Sequence, residues 1–384
     1  MSTTGRTGSA ATAVGDVAAV LSEARFVRVV ASADGGALAA GGVLASALDG
    51  HDVPFQVRVI AAPDDRAWRT DGSDEHVVAV GLGGEDADVD ADAVVDPAEA
   101  PTTVSAWRIA GEIGGEPDPT LALAGAVADG VTPGANGTAP LLEAADLERG
   151  PGVAVPTADL ADGLGHSTLV HASFSGDESA AGAALADLSL PAELDESARR
   201  EVASLVAIEA TEGAPARAAT AVERFLRPYA TPAGPFETLG GYADVLDALA
   251  ATAPGIGVAL ALGHEVRATA IDEWRDHARR VHDGLRSAHT GRYDGVFVAR
   301  HDDWPTATAA RLLRDYRSPE PVALAVGDGE ATLAGGGDRE LGPVARAAAT
   351  AVDGRACGTG RRARIAFDPE TEVTDIATAV REAL

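Results

Sequence analysis

The chain is 384 residues long, which is enough for two domains with separate hydrophobic cores. It carries 59 acidic residues against 30 basic ones, all of them arginine, and its formal net charge is -29. Together with 46% hydrophobic and only 4% aromatic residues, this balance is typical of a protein adapted to high salt, where a dense carboxylate surface stays hydrated and its self-repulsion is screened. The acidic excess therefore describes the solvent more than the partner, and it argues only weakly against nucleic acid as a ligand.

Residue types that the chain lacks exclude several classes of function. Without lysine there is neither a Walker-type phosphate-binding loop nor a lysine Schiff base. The single cysteine, Cys357, excludes an internal disulfide and a cysteine-based zinc cluster. No apolar run reaches the length of a membrane span, and the first residues lack a signal-peptide pattern, so we expect a cytoplasmic protein.

The first half of the chain predicts a disordered tail followed by an α/β domain. Residues 1–15 are mostly Ser, Thr, Gly and Ala, a composition typical of a disordered tail. The valine run after Phe26 predicts a buried strand, and Asp34 separates it from an alanine-rich helix. Strands alternating with helix-length segments indicate a doubly wound, mainly parallel sheet in residues 16–190, and such sheets hold ligands at the carboxyl ends of their strands. The further strands are predicted at 55–60, 76–81 and 93–96.

Residues 191–290 predict a helical connector, and residues 291–384 predict a second, smaller α/β domain that begins with a strand at 293–299. Apolar residues near the end of the connector recur every three or four positions, which predicts a long amphipathic helix. Four histidines in this region point in different directions on such a helix, so we interpret them as surface residues and not as a metal cluster. The apolar stripe is Ile271, Trp274, Ala278, Val281 and Leu285, and the histidines are His264, His277, His282 and His289.

Two stretches resemble motifs of the DHH phosphoesterase family, and within it the archaeal proteins similar to the single-strand exonuclease RecJ. That family opens with a strand, the motif His-x-Asp-x-Asp-Gly and a helix of small residues. Asp34-Gly35 and the helix match it, whereas Val30 and Ser32 replace the His and the first Asp. The phrase Gly240-Gly241-Tyr242-Ala243-Asp244-Val245-Leu246 is similar to a recurrent phrase of the archaeal RecJ-like proteins.

The resemblance implies three carboxylates, Asp34, Asp96 and Asp129, as catalytic residues and metal ligands. The name-giving Asp-His-His of the family falls on Asp96-Pro97-Ala98, which keeps the Asp and loses both His. Asp129 ends a helix that matches the fourth motif. Three oxygen ligands suit one Mg²⁺ or Mn²⁺ but not the two-ion clamp of the family, so we expect a site with one ion or none.

The family also ends with a Gly-Gly-Gly-His loop that contacts substrate, and the loop predicted at 354–364 resembles it, with Cys357 in the position of the His. Glycine and arginine in one loop suit phosphate oxygens, although a charged turn that balances local acids is the alternative. The residues that the resemblance implies as substrate-binding are Arg355, Cys357, Gly358, Gly360, Arg361 and Arg362.

The function implied by the resemblance is that of a RecJ-like protein of DNA replication or repair with impaired or lost catalysis. Such a protein would bind single-stranded DNA or RNA, or serve as an accessory subunit beside GINS or components of the replicative helicase. One alternative is an active Mg²⁺- or Mn²⁺-dependent single-strand exonuclease or oligonucleotide phosphodiesterase. Another is an α/β scaffold in RNA processing or metabolism that does not contact nucleic acid.

Overall fold

The valine run after Phe26 forms an inner strand of a four-stranded parallel sheet, as predicted. The strands are β1 (Phe26–Ser32), β2 (Phe55–Ile60), β3 (Glu75–Val80) and β4 (Ala93–Val95). Their order is β2-β1-β3-β4, and Val29 of β1 lies opposite both Val57 and Val78. This computed structural model describes residues 14–61, 75–82, 91–95, 100–336 and 339–384. The proposed tail therefore lies almost entirely outside the described residues.

One face of this sheet packs against helices that are rich in small residues. Val29 and Ala31 of β1 are fully buried in this core, and Val30, on the opposite face, belongs to a smaller apolar cluster. Short side chains let the helices approach closely, so α2 packs against α3, α4 and α10. The helices described between residues 14 and 261 are α1 (Val14–Glu23), α2 (Gly35–Gly50), α3 (Thr102–Glu112), α4 (Pro119–Ala128), α5 (Ala139–Ala145), α6 (Leu160–His166), α7 (Glu178–Ala186), α8 (Glu196–Thr211), α9 (Arg217–Glu223), α10 (Leu239–Thr252) and α11 (Pro254–Ala261).

The predicted amphipathic helix is α12 (Arg267–Ser287), and its apolar stripe from Ile271 to Leu285 is buried. The interpretation of the histidines as surface residues is wrong for two of the four. His277 and His282 are buried, whereas His264 and His289 are exposed. Within the described residues, no helix, α12 included, combines the length and the apolar composition needed to cross a membrane.

The last hundred residues form a six-stranded mixed sheet with its own helices. Its strands are β5 (His289–Tyr293), β6 (Val296–Arg300), β7 (Val322–Val326), β8 (Glu330–Gly335), β9 (Arg355–Thr359) and β10 (Arg362–Ala366). Their order is β5-β6-β7-β8-β10-β9, and only β6 and β7 run parallel. The helices are α13 (Thr306–Leu312), a π-helical turn at Leu313–Arg317, α14 (Leu341–Ala351) and α15 (Val373–Ala383).

Two sequence-based assignments in this sheet are corrected. The single strand predicted at 293–299 is instead the hairpin β5–β6, which turns at Gly295 with a φ of 83°. The loop predicted at 354–364 is the hairpin β9–β10, which turns at Gly360 with a φ of 58°. In both places a glycine adopts the left-handed conformation that a tight turn requires.

The middle helices share a core with this second sheet. Phe174 and Phe225 from the middle of the chain are buried in the same apolar cluster as Val281 of α12, Trp304 and Ala323. The middle helices and the second sheet therefore bury one common core, and α12 contributes Val281 to this core and Trp274 to the core of the first sheet.

Candidate functional site

Asp34 lies at the carboxyl end of β1 and is the N-cap of α2. Its Oδ1 accepts a hydrogen bond of 2.7 Å from the backbone N–H of Ala37, and the residue is half-buried. An N-cap carboxylate satisfies one of the free amides of the first helical turn and lies in the positive end of the helix dipole. The strand-to-helix turn therefore holds a negative charge at the edge of the parallel sheet.

Asp129 follows the last residue of α4, and its carboxylate lies directly against the first turn of α2. A Cβ built on Gly36 would be 2.2 Å from Oδ2 and 2.3 Å from Oδ1 of Asp129. Only a glycine leaves room for the carboxylate there. None of the described residues donates a hydrogen bond to Asp129. A half-buried carboxylate without a protein donor is a suitable ligand for a cation.

Asp247 of α10 is a third carboxylate at this turn, and the sequence analysis missed it. Its Oδ1 accepts a hydrogen bond of 3.0 Å from the backbone N–H of Gly35. The only signal for it was its position three residues beyond Asp244, in the continuation of the glycine-containing phrase. Because Gly35 and Asp247 are 212 residues apart in the chain, no local pattern connects them.

Burial and neighbouring negative charge raise the pKa of two of these carboxylates, Asp129 and Asp247, and nearby arginines oppose this effect. Burial raises the pKa of Asp129 well above its usual range, and the charges of Asp34 and Asp247 raise it further, while Arg362 lowers it. Burial likewise raises the pKa of Asp247, against the lowering effect of Arg362 and Arg311. For Arg362, burial would lower the pKa, but the carboxylates outweigh it and the pKa is raised.

Arg362 is the first residue of β10 after the hairpin turn, and it faces these carboxylates from the second sheet. In the ladder it is paired with Ala334 of β8. Among the residues that the structure describes, no carboxylate oxygen comes within 4.0 Å of its guanidinium nitrogens. Arg362 therefore acts on the carboxylates through its charge and does not form a direct ion pair with them.

Three further residues of the hairpin that are predicted to bind substrate, Arg361, Gly360 and Gly358, lie at or near its turn. Arg361 is exposed at the turn, where the Gly360 N–H donates to Glu340 Oε2 at 2.9 Å. Gly358 has a φ of 124°, and a Cβ on it would be 2.6 Å from Cα of Ala363. These two glycines shape the hairpin.

Cys357 and Arg355 line a separate cleft between the end of β2 and the second sheet, with a volume of about 260 Å³. Cys357 Sγ lies 3.6 Å from the carbonyl oxygen of Ala61, to which Arg364 Nη1 donates at 3.2 Å. Burial raises the pKa of the Cys357 thiol, although Arg364 opposes this effect. At neutral pH the residue is therefore a neutral thiol in a contact between the two sheets.

The third carboxylate of the sequence analysis, Asp96, lies outside the described residues, since β4 ends at Val95. Of the three predicted ligands, the structure brings Asp34 and Asp129 together at the first turn of α2. It adds Asp247 to them.

A second group of possible metal ligands is found on α6 and α7. Asp162, His166 and Glu178 offer ligand atoms within 4.8 Å of one another. Arg275 donates to both oxygens of Asp162, at 2.8 and 3.0 Å, and His166 Nδ1 lies 3.0 Å from Oδ1. Burial would raise the pKa of Asp162, but these contacts with Arg275 lower it. Arg275 already balances the negative charge of the Asp162 carboxylate, so we interpret this group as an ion-pair network that connects α12 to α6.

Comparison with solved structures identifies the fold. The structure of Cdc45 from Entamoeba histolytica is similar with a TM-score of 0.59 at 10% identity, covering 96% of this chain and 97% of that one. The structure of an exonuclease RecJ bound to manganese is similar with a TM-score of 0.49 at 15% identity, covering 97% of this chain and 95% of that one. At such low identity the likeness to Cdc45 shows the α/β fold alone.

Comparison of sequences identifies the family. Residues 288–382 match the family described as "Uncharacterized protein rrnAC1427, C-terminal domain". The chain is also 49% identical over 389 residues to the protein rrnAC1427 of Haloarcula marismortui, with 100% of both chains covered. This chain belongs to the rrnAC1427 family.

Proposed function

We propose that this protein is a RecJ-like protein of DNA replication or repair that binds single-stranded nucleic acid and has lost most or all nuclease activity. The observation that carries the proposal is that three carboxylates meet at the first turn of α2 within electrostatic reach of Arg362, which forms no ion pair with any of them in the described part of the chain. Carboxylates beside an unpaired guanidinium suit a cation bound to a phosphate group. The Cdc45 fold supports an accessory role, with GINS or replicative helicase components as candidate partners.

The residues present fit a hard divalent cation. Asp34, Asp129 and Asp247 supply only oxygen ligands, which Mg²⁺ and Mn²⁺ prefer, and Asp129 has both oxygens available. When bound, such an ion would neutralise charge on a phosphate oxygen and lower the pKa of a bound water. Arg362 would donate hydrogen bonds to the same phosphate group.

The case for impaired catalysis rests on the residues that replace the missing ligands. Val30 is fully buried in β1 with an apolar side chain, and Ser32 ends the strand without a carboxylate. Neither can take the place of the imidazole or the carboxylate that a second ion requires. Asp34, Asp129 and Asp247 would therefore hold one ion, which would neutralise charge on a phosphate group without forming the two-ion clamp.

The proposal is tested by binding and turnover of labelled single-stranded DNA and RNA in molar KCl, with Mn²⁺ or with EDTA. We expect Mn²⁺-dependent binding with little or no release of nucleotides. Arg362→Ala should weaken binding about fivefold or more, because a charged hydrogen bond to phosphate is lost. Arg200→Ala on α8, whose side chain is exposed and paired with Glu196, is the matched control.

Two outcomes contradict this proposal. Nucleotide release that Asp129→Asn abolishes would show an active exonuclease or phosphodiesterase. Absence of both binding and release, for the free protein and for the protein isolated with its partners, would favour a scaffold that does not contact nucleic acid.

The cation site is tested independently by two Gly→Ala substitutions in α2. In Gly36→Ala the new Cβ must displace the Asp129 carboxylate, so we expect Mn²⁺ affinity to fall about tenfold or more. In Gly41→Ala the nearest atoms are 3.6 Å away, which is ordinary contact, so affinity should not change. Because a carboxylate at the end of a side chain can swing aside, both variants should fold. Isothermal titration calorimetry with Mn²⁺ measures the affinity of both variants. Equal affinities would show that Asp129 is not a ligand of the ion.

A further inference from the structure

Two arginines outside the hairpin lie beside the proposed cation site. Arg224 follows α9 and lies close to Gly130, the neighbour of Asp129 in the chain. Its Nη1 is 3.4 Å from the position that a Cβ on Gly130 would occupy. Its Nη2 lies 3.5 Å from Oδ2 of Asp315. Arg314 donates to both oxygens of Asp315 at 2.8 Å. Arg224 and Arg314 thus share one carboxylate, and Arg224 brings this pair next to Asp129.

The hairpin arginine belongs to the same group. Arg314 Nη1 also reaches the carbonyl oxygen of Gly335, at 3.4 Å, and Gly335 follows the residue of β8 that pairs with Arg362. Arg311 is one helical turn before Arg314, and it acts electrostatically on both Arg224 and Asp247. We call Arg224, Arg311, Arg314 and Arg362 the arginine cluster.

The arginine cluster carries more positive charge than its own carboxylate can neutralise. Within the described residues, Asp315 is the only carboxylate that forms an ion pair with any of the four guanidinium groups. Burial lowers the pKa of Arg224, and the neighbouring charges of Arg311 and Arg314 lower it further, although Asp315 opposes them. Like charges held together in a strongly acidic protein are stabilised when an anion lies between them.

The degree of exposure distinguishes the roles of these arginines. The Arg224 side chain is 46% exposed, whereas Arg314 is 12% exposed and held in the bidentate geometry. Arg311 is anchored by donating to the Thr168 carbonyl oxygen at 3.1 Å. Arg224 is therefore the member with the most freedom to contact a ligand, and Asp315 is a positioning residue that orients it.

We propose that the arginine cluster binds a second phosphate group, next to the phosphate that the carboxylates and Arg362 hold. This inference rests on the proposed function and makes it more specific. The ligand is then an oligonucleotide with at least two successive phosphates, and a mononucleotide uses only part of the site. Arg224 supplies the contact that distinguishes the two.

The test compares a 5′-mononucleotide with a single-stranded oligonucleotide of roughly ten nucleotides. Each is titrated into the protein in the presence of Mn²⁺ at several KCl concentrations. Arg224→Ala should weaken oligonucleotide binding about fivefold or more and leave mononucleotide binding unchanged. The slope of log affinity against log salt should become shallower by about 0.7, the value for one lost phosphate contact on a single strand. Arg362→Ala should weaken both ligands, and Arg200→Ala neither. Asp315→Asn, which keeps the shape of the side chain, should reproduce part of the loss.

The outcomes separate this inference from the proposed function. If the unmodified protein binds the oligonucleotide and Arg224→Ala changes neither affinity nor salt slope, the second phosphate site is wrong and the proposed function stands. Equal weakening of mononucleotide and oligonucleotide by Arg224→Ala would assign this residue to the first phosphate instead. An unmodified protein that binds neither ligand would overturn both proposals.

Discussion

Substitution of Gly241 by alanine is expected to destabilise the fold by about 3 kcal/mol or more. A Cβ on Gly241 would be 2.3 Å from both the backbone N of Pro156 and the backbone C of Val155. These are main-chain atoms, so the clash cannot be relieved by rotation of a side chain. The start of α10 lies this close to residues 155–156 because Thr238, the N-cap of α10, donates a hydrogen bond of 2.7 Å to the carbonyl oxygen of Val155.

Urea unfolding in molar KCl measures this effect, with Gly111→Ala as the control. Gly111 lies in α3 with nothing within 4 Å of its Cβ position, so alanine there should be neutral or stabilising by up to about 1 kcal/mol. The two variants make the same chemical change in a helix and differ only in the space available. A Gly241→Ala protein as stable as Gly111→Ala would show that α10 can move away from residues 155–156 at no cost.

The phrase around Gly241 has a structural role that extends to the site. Asp244, the next acidic residue, is fully buried and accepts hydrogen bonds from Ser167 Oγ at 3.1 Å, the Thr168 backbone N–H at 3.0 Å and Trp274 Nε1 at 3.0 Å. Burial raises the pKa of Asp244, and these donors partly offset the effect. The phrase thus fixes α10 against α12, and this places Asp247 one turn later at Gly35.

Local patterns were sufficient to predict the elements that carry the site. The valine run before Asp34 and the apolar stripe of α12 depend on residues close in sequence, and the structure confirms both elements. The contact of Asp247 with Gly35 could not be predicted, because it depends on how α10 packs against α2. The position of Arg362 opposite Asp129 likewise depends on how two sheets approach each other.

The two errors that bear most on the site have physical causes. Residues 354–364 are predicted as a loop because they resemble the Gly-Gly-Gly-His loop of the family, yet they form β9 and β10, and alternate residues of β10 are buried in the sheet. The histidines of α12 are predicted as surface residues because their spacing on a long helix points them in different directions. This helix packs against α10 and α11 on one side and α13 on another, so more than one of its faces is buried.

The buried histidines form a cluster that has to remain neutral. His282 Nε2 lies 3.0 Å from the Ser167 carbonyl oxygen and must carry the proton, so its Nδ1 accepts from His171 Nδ1 at 3.2 Å. His277 Nε2 lies 3.1 Å from Thr308 Oγ1, and its Nδ1 is without a hydrogen-bond partner in the described part of the chain. Additional protons here would be buried, and no carboxylate of the described residues acts on these histidines to balance them.

These surroundings lower the proton affinity of the cluster in the folded state. Burial lowers the pKa of His171 to about 4, with further contributions from Arg317 and Arg286. Burial lowers the pKa of His277 to about 3, with contributions from Arg280 and Arg311. In the unfolded chain a histidine has a pKa near 6.5. Below about pH 6.5 the unfolded state therefore binds protons that the folded state does not. The contribution of these histidines to stability falls as the pH is lowered, until the pH reaches their folded-state pKa values.

We expect the change in the free energy of unfolding between pH 7 and pH 4.5 in molar KCl to be less destabilising for His277→Gln than for the unmodified protein. Two pH units of differential proton binding at one buried histidine correspond to roughly 2.5 kcal/mol, so the variant should lose about that much less than the unmodified protein. Glutamine can keep the hydrogen bond to Thr308 but does not titrate. Asp129, Asp244 and Asp247 change stability in the opposite direction because their pKa values are raised, and this contribution cancels in the difference between the two proteins. Urea unfolding of both proteins at the two pH values measures the difference, and parallel losses would show that His277 accepts a proton inside the folded core.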